Sequence, residues 1–204
     1  MSITKKMELG VSLPTGIHAS KLMAAWVHLI RRVIRAQYVP LHVFDDGQIL
    51  LIELEVEENV QFMEYCKKVQ QAVSKTAKQI PAIDSQAILQ GLRSPACAKS
   101  PAFTLGFVIS RLAGVSCDLE LRIKSSLVAE IWYCSSLWDS DTIQRLSQWL
   151  STLLISISEN PNEKLNLLSI VPRDEFRLTV HDWNNTESPW PEGYCIHEFF
   201  EQHL

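Results

Sequence analysis

Six histidines, five cysteines and a row of carboxylates are the residues of this 204-residue chain best able to do chemistry. His18, His28, His42, His181, His197 and His203 are scattered, with no two adjacent. A general base needs an orienting partner within hydrogen-bond reach. His181-Asp182 is the nearest match, but neighbours on a helix point about 100° apart, so they do not orient each other. No H-x-x-E-H or H-E-x-x-H occurs, which leaves a metal site without support. Cys66, Cys97, Cys117, Cys134 and Cys195 contain no C-x-x-C pair and are odd in number, as expected of buried thiols in a reducing compartment. Glu53, Glu55 and Glu57 alternate with Ile52, Leu54 and Val56. Alternation along a strand spaces those carboxylates about 7 Å apart, too far to share a small cation, so they read as a solvated sheet face.

Composition removes further classes. Only 7 of 204 residues are glycine, and the chain lacks G-x-G-x-x-G, G-x-x-x-x-G-K and G-x-S-x-G, so phosphate loops and nucleophile elbows are not expected. Nineteen basic against 23 acidic residues give a net charge of −4, against nucleic acid as the main partner. Hydrophobic residues at 47% and charged ones at 21% describe a globular chain. Met1 to Gly16 has no apolar core of a signal peptide. The apolar stretch Leu22 to Ile30 is interrupted by His28 and stopped by Arg31-Arg32, too short to cross a bilayer. The protein is expected to be soluble and cytoplasmic, with no cofactor and no membrane partner.

The elements that must position these residues follow from periodicity. Leu22, Trp26, Leu29, Ile30 and Val33 predict a helix over His18–Gln37. Lys21, His28, Arg32 and Arg35 fall on its other, basic face, which suits a core-packed helix with a solvated side better than a membrane-surface one. Pro40 should end that region. A short strand at Leu41–Phe44, a turn at Asp45-Asp46-Gly47 and a strand at Gln48–Val56 follow. Phe62, Cys66, Val69 and Val73 mark a second helix over Asn59–Gln79. A short helix at Asp84–Gln90 and a loop at Gly91–Pro101 come next. Strands are expected at Phe103–Ile109 and Leu119–Lys124, with Leu127–Tyr133 as hairpin partner to the latter. Asp139 to Asp141 should cap a long helix carrying Ile143, Leu146, Leu150, Leu153, Leu154 and Ile157, stopped by Asn160-Pro161. A short helix at Arg173–Asp182, a polar loop at Asn184–Gly193 and a helical fragment at Ile196–Leu204 complete the chain. Without regular alternation of strands and helices, the class is α+β, an irregular α/β sandwich.

One stretch carries a family signature. Trp183-Asn184-Asn185-Thr186, Trp190-Pro191 and Ile196-His197-Glu198-Phe199-Phe200-Glu201 resemble the linker of nonribosomal peptide synthetases that joins a condensation domain to the following adenylation domain. Upstream, Tyr133, Leu137-Trp138-Asp139, Thr142-Ile143, Arg145-Leu146 and Leu153-Leu154 resemble the last strand and helix of a condensation domain. More weakly, His18–Gln37 is similar to the helix opening that family's C-terminal lobe. The resemblance therefore implies one lobe of the chloramphenicol-acetyltransferase-like condensation fold over residues 1–171, and a linker with the start of an adenylation domain over 172–204.

The resemblance also implies a loss. Condensation domains act through H-H-x-x-x-D-G, which this sequence lacks: its only Asp-Gly, Asp46-Gly47, follows Leu41-His42-Val43. Asp46-Gly47-Gln48-Ile49-Leu50 stands for F-V-N-T-L, only Pro81 remains of H-Q-D-Y-P-F-E, and only Pro101 directly matches R-D-x-S-R-N-P-L. The expected function is a truncated, non-catalytic condensation-like domain, a platform for the adenylation domain of the same polypeptide. Met1 suggests the start of an initiation module. Alternatives are half of a split acyltransferase completed by a partner lobe, and a carrier-protein docking module using Lys21, Arg32 and Arg35. A second copy of the chain is a further candidate partner. Trp183, Asn184, Thr186, Trp190, Pro191, Ile196, His197, Phe199 and Phe200 are the expected linker and docking residues, because aromatic anchors among polar neighbours suit a docking surface.

Overall fold

The computed structural model of the chain describes residues 4–8, 14, 16–45, 48–55, 57, 59–79, 104–109, 117–125, 128–187 and 201. Their contacts divide the chain into two compact units, Met1–Pro172 and Arg173–Leu204.

The first unit is built on a six-stranded mixed sheet in the order β1-β6-β5-β4-β2-β3. The strands are β1 (Thr4–Glu8), β2 (Tyr38–Asp45), β3 (Gln48–Glu55), β4 (Leu105–Val108), β5 (Leu119–Ser125) and β6 (Val128–Cys134). β2 and β3 form an antiparallel hairpin from Tyr38↔Glu55 to Asp45↔Gln48. β4 lies parallel to both β2 and β5, while β6 runs antiparallel to β5 and to β1. Period-two alternation then sorts side chains by face. Val39, Leu41 and Val43, Leu50, Ile52 and Leu54, Leu105 and Phe107, Leu119 and Leu121, and Ile131 all enter one core.

Helices α1 (Ala19–Ile34), α2 (Phe62–Gln79) and α3 (Ser140–Glu159) contribute the other half of that core. α1 packs against both α2 and α3. Its residues Leu22 to Ile30 are buried without interruption, around the whole circumference of the helix. Trp26 fixes it on the sheet: the buried indole Nε1 donates to the Gly106 carbonyl at 3.2 Å. The start of α2 is tied to the segment after α3, where the Phe62 amide donates to Glu163 O at 2.9 Å.

Several expectations change here. His28, placed by the pattern on a solvated face, has no exposed surface, because α1 is flanked on more than one side; Val33, placed in the core stripe, is 39% exposed. Pro40 does not end the region but lies inside β2. β1 was not foreseen, since its pairing partner is more than a hundred residues away, Thr4 opposite Cys134. Glu120, which alternates with the core residues Leu119 and Leu121 along β5, is nevertheless only 1% exposed. The expected helix at Asp84–Gln90, the loop at Gly91–Pro101 and the fragment at Ile196–Leu204 lie outside the described residues, apart from Glu201. In the second unit, Arg173–Asp182 is helical as expected, but it divides into α4 (Arg173–Arg177) and a π-helical turn, Leu178–Asp182.

Candidate functional site

The last turn of α1 and the chain leaving it form one wall of a groove of about 640 Å³. Arg31, Arg32, Arg35 and Gln37 line it from this side, Glu55 and Glu57 from the end of β3, and Asn166 from the 3-10 turn Leu165–Leu167. Arg35 caps α1 in the left-handed conformation (φ 51°), its amide donating to Arg31 O. Glycine is the usual residue at such a cap, because a Cβ is strained there. The two carboxylates are engaged: Gln37 Nε2 donates to Glu55 Oε1 at 3.1 Å, and Lys68 Nζ to Glu57 Oε1 at 3.0 Å. The Glu57 hydrogen bond raises the Lys68 ammonium above its ordinary pKa.

Of the three residues expected to form a basic partner surface, the structure brings Arg32 and Arg35 together and sets Lys21 apart. Arg32 comes eleven positions after Lys21 along the helix, about 16 Å along the axis. Lys21 Nζ instead donates to Gly16 O at 3.0 Å. Its charge also acts on Cys66 of α2, whose thiol is pushed up to about 12 by burial, with Lys21 opposing. Cys66, Cys117 and Cys134 are buried thiols; Cys97 and Cys195 lie outside the described residues.

The sheet face opposite the helices carries a charged network that the sequence reading missed. Arg122 Nη2 lies 2.6 Å from Glu120 Oε2, and the Arg122 guanidinium stacks 3.9 Å from the Trp132 ring centroid. Trp132 Nε1 donates to Glu130 Oε2 at 3.0 Å, and Lys124 Nζ lies 3.0 Å from Glu130 Oε1. The Cys117 amide also donates to Glu120. The available signal was the hairpin register, which sets Glu120 opposite Trp132 and Arg122 opposite Glu130.

The described histidines are dispersed over both units. His42 is buried with Nδ1 3.1 Å from Leu105 O, and His28 is buried within α1. His181 is exposed and meets Phe176 edge-on at 6.1 Å, while Asp182 pairs with Arg177 at 3.6 Å. Among the described residues, no three His, Cys, Asp or Glu side chains form a metal-binding group, and no helix is long and apolar enough to cross a membrane. In the second unit Trp183 is 66% exposed. Asn184 Nδ2 donates to Thr179 O at 2.9 Å and Val180 O at 3.0 Å, and the Thr186 amide donates to Asn184 O at 2.8 Å. Trp190, Pro191, Ile196, His197, Phe199 and Phe200 lie outside the described residues.

No protein-family model matches the chain. Curated proteins similar to the chain include a synthetase and a synthase. Malpibaldin synthetase from Mortierella alpina is 29% identical over 93 residues, 44% of this chain. Bacitracin synthase 1 from Bacillus licheniformis is 26% identical over 125 residues, 60% of the chain. The matched region spans about 2% of each relative's length. Among solved structures, a four-domain nonribosomal peptide synthetase bound to AMP and glycine superposes with a TM-score of 0.65 at 12% identity, over 85% of this chain and 18% of that one. The first condensation domain of the CDA synthetase superposes at 0.62 and 12% identity, over 84% of this chain but 48% of that domain. The chain has the fold of a condensation-domain lobe. The same lobe superposes, at a TM-score of 0.61 and 16% identity, on the X-domain of teicoplanin biosynthesis in its complex with OxyB, over 85% of this chain and 49% of that one.

Proposed function

We propose that this lobe serves a nonribosomal peptide synthetase as a non-catalytic platform for neighbouring domains. The fold, which matches half of a condensation domain, carries the reading, together with the resemblance, in which other residues stand for that family's motifs. Asp46-Gly47-Gln48-Ile49-Leu50 stands where F-V-N-T-L belongs, and little of the two later motifs remains around Pro81 and Pro101. The burial of His28 and His42 adds support, while His18 is exposed at the start of α1. The adenylation domain of the same polypeptide is the proposed first partner, met through the linker residues around Trp183 and Trp190. A carrier protein or a second copy of the chain are further partners; a carrier would use the basic side of α1. The X-domain found in complex with OxyB is a precedent for a domain of this fold binding another protein.

Supplying carrier-bound donor and acceptor substrates to the chain, alone and with a separately produced N-terminal condensation lobe, tests the reading. Mass spectrometry should find no condensed product in either mixture. Product formed only with the added lobe would establish the split acyltransferase instead.

A further inference from the structure

At the groove beside the end of α1, concavity and uncommitted charge coincide. Its volume of about 640 Å³ lies within the range of small-molecule sites, roughly 300–1,000 Å³. Arg31, Arg32 and Arg35 line it against Glu55 and Glu57; Glu57 is paired with Lys68, while Glu55 accepts from the neutral Gln37 amide, so the lining keeps a positive excess. Among the described residues neither Arg32 nor Arg35 takes part in an ion pair. Arg35 is further held in place by a backbone hydrogen bond, in a conformation that glycine would adopt with less strain. A cation would meet the arginines' repulsion, and an apolar ligand would desolvate them without replacing their hydrogen bonds. A dianion with several acceptor oxygens answers both the charge and the forked donor geometry of guanidinium.

We propose that this groove binds a phosphate-bearing small molecule. Arg32 and Arg35 hold the phosphate, Arg31 adds positive potential, and Glu55 and Asn166 face the ligand's polar remainder. The inference does not depend on the platform reading, because it concerns a ligand rather than the lobe's neighbours.

Calorimetric titration of the full chain at low salt, with inorganic phosphate, inorganic pyrophosphate and glutarate as probes, tests it. Saturable binding of phosphate or pyrophosphate is expected, weakening with added salt. Losing one charged hydrogen-bonding group in Arg32→Gln or Arg35→Gly should weaken it by about tenfold. Arg35→Gly also removes the left-handed strain, so its melting temperature should hold or rise, and lost binding would not be lost folding. Arg145→Gln, on exposed α3 surface away from the groove lining, should bind as the parent does. Pyrophosphate tighter than phosphate would favour a nucleotide-like di- or triphosphate source; the reverse order would favour a monophosphate. Absence of saturable binding, or equal binding by both groove variants, would overturn the proposal. Glutarate binding as tightly as pyrophosphate would overturn it too, in favour of a surface for carboxylates of an acidic protein.

Discussion

Gly106 stands where the demands of three elements meet. Its carbonyl accepts the Trp26 indole, and an added Cβ would lie 2.8 Å from Glu120 Cγ and 3.1 Å from Cys117 Sγ. Glu120 has little room to yield, because its carboxylate holds Arg122, which in turn stacks on Trp132. Gly106→Ala should therefore cost about 1–3 kcal/mol in urea unfolding; an unchanged midpoint would show that Glu120 moves aside freely. Cys66 makes a pH-dependent contribution. Burial raises its thiol from an ordinary 9.0 to about 12, so between those values the folded chain holds a proton that the unfolded chain has released. Its contribution is complete below pH 9 and is lost as pH rises toward 12. Replacing it by Ser or Ala should flatten the fall in stability over that window, measured by denaturant titration at several pH values. At this scale the sequence announced the residue types well and their surroundings poorly. That Glu120 is buried and paired follows from its neighbours on β4 and β6, which no local window contains.

At the scale of elements, the helices were legible because their signals are local. Asp139 begins α3 as its position before an apolar period predicts: Oδ1 accepts from the Thr142 amide at 2.7 Å and Oδ2 from the Thr142 hydroxyl at 2.8 Å. Those bonds hold the Asp139 carboxyl below its ordinary pKa, so the cap is intact at neutral pH and is lost on acidification. Asp139→Ala should lower the melting temperature by about 2–5 °C, and Asp139→Asn by less, since Asn also caps. Where the helix reading failed, at His28 and Val33, the cause was the neighbourhood of α1. A 3.6-residue period predicts one buried stripe, whereas packing against the sheet, α2 and α3 buries the consecutive run Leu22 to Ile30 and leaves the final turn toward solvent. β1 failed for a different reason: five residues with two lysines become a strand only because β6 offers an edge.

For the molecule as a whole, the main core runs from Ile17 to Ile170 and lies entirely within the first unit. Ending the chain after Pro172 should leave that core intact, with a cooperative thermal transition and unchanged near-ultraviolet circular dichroism from Trp26. A non-cooperative melt would show that residues 173–204 complete it. By itself the sequence determined the three long helices, strands β2 and β3 with the turn between them, the β5–β6 hairpin, the α+β class and the resemblance to a condensation-domain lobe, since caps, periods and motif spacings act over a few residues. It also set Lys21, Arg32 and Arg35 on one basic face, of which only Arg32 and Arg35 share the groove. Only the tertiary structure decided the strand order, the burial of His28 and Glu120, and the meeting of Arg31, Arg32 and Arg35 with Glu55, Glu57 and Asn166 around one groove. Those outcomes depend on long-range pairing and on which charges lose water, and both are settled by elements far apart in the chain.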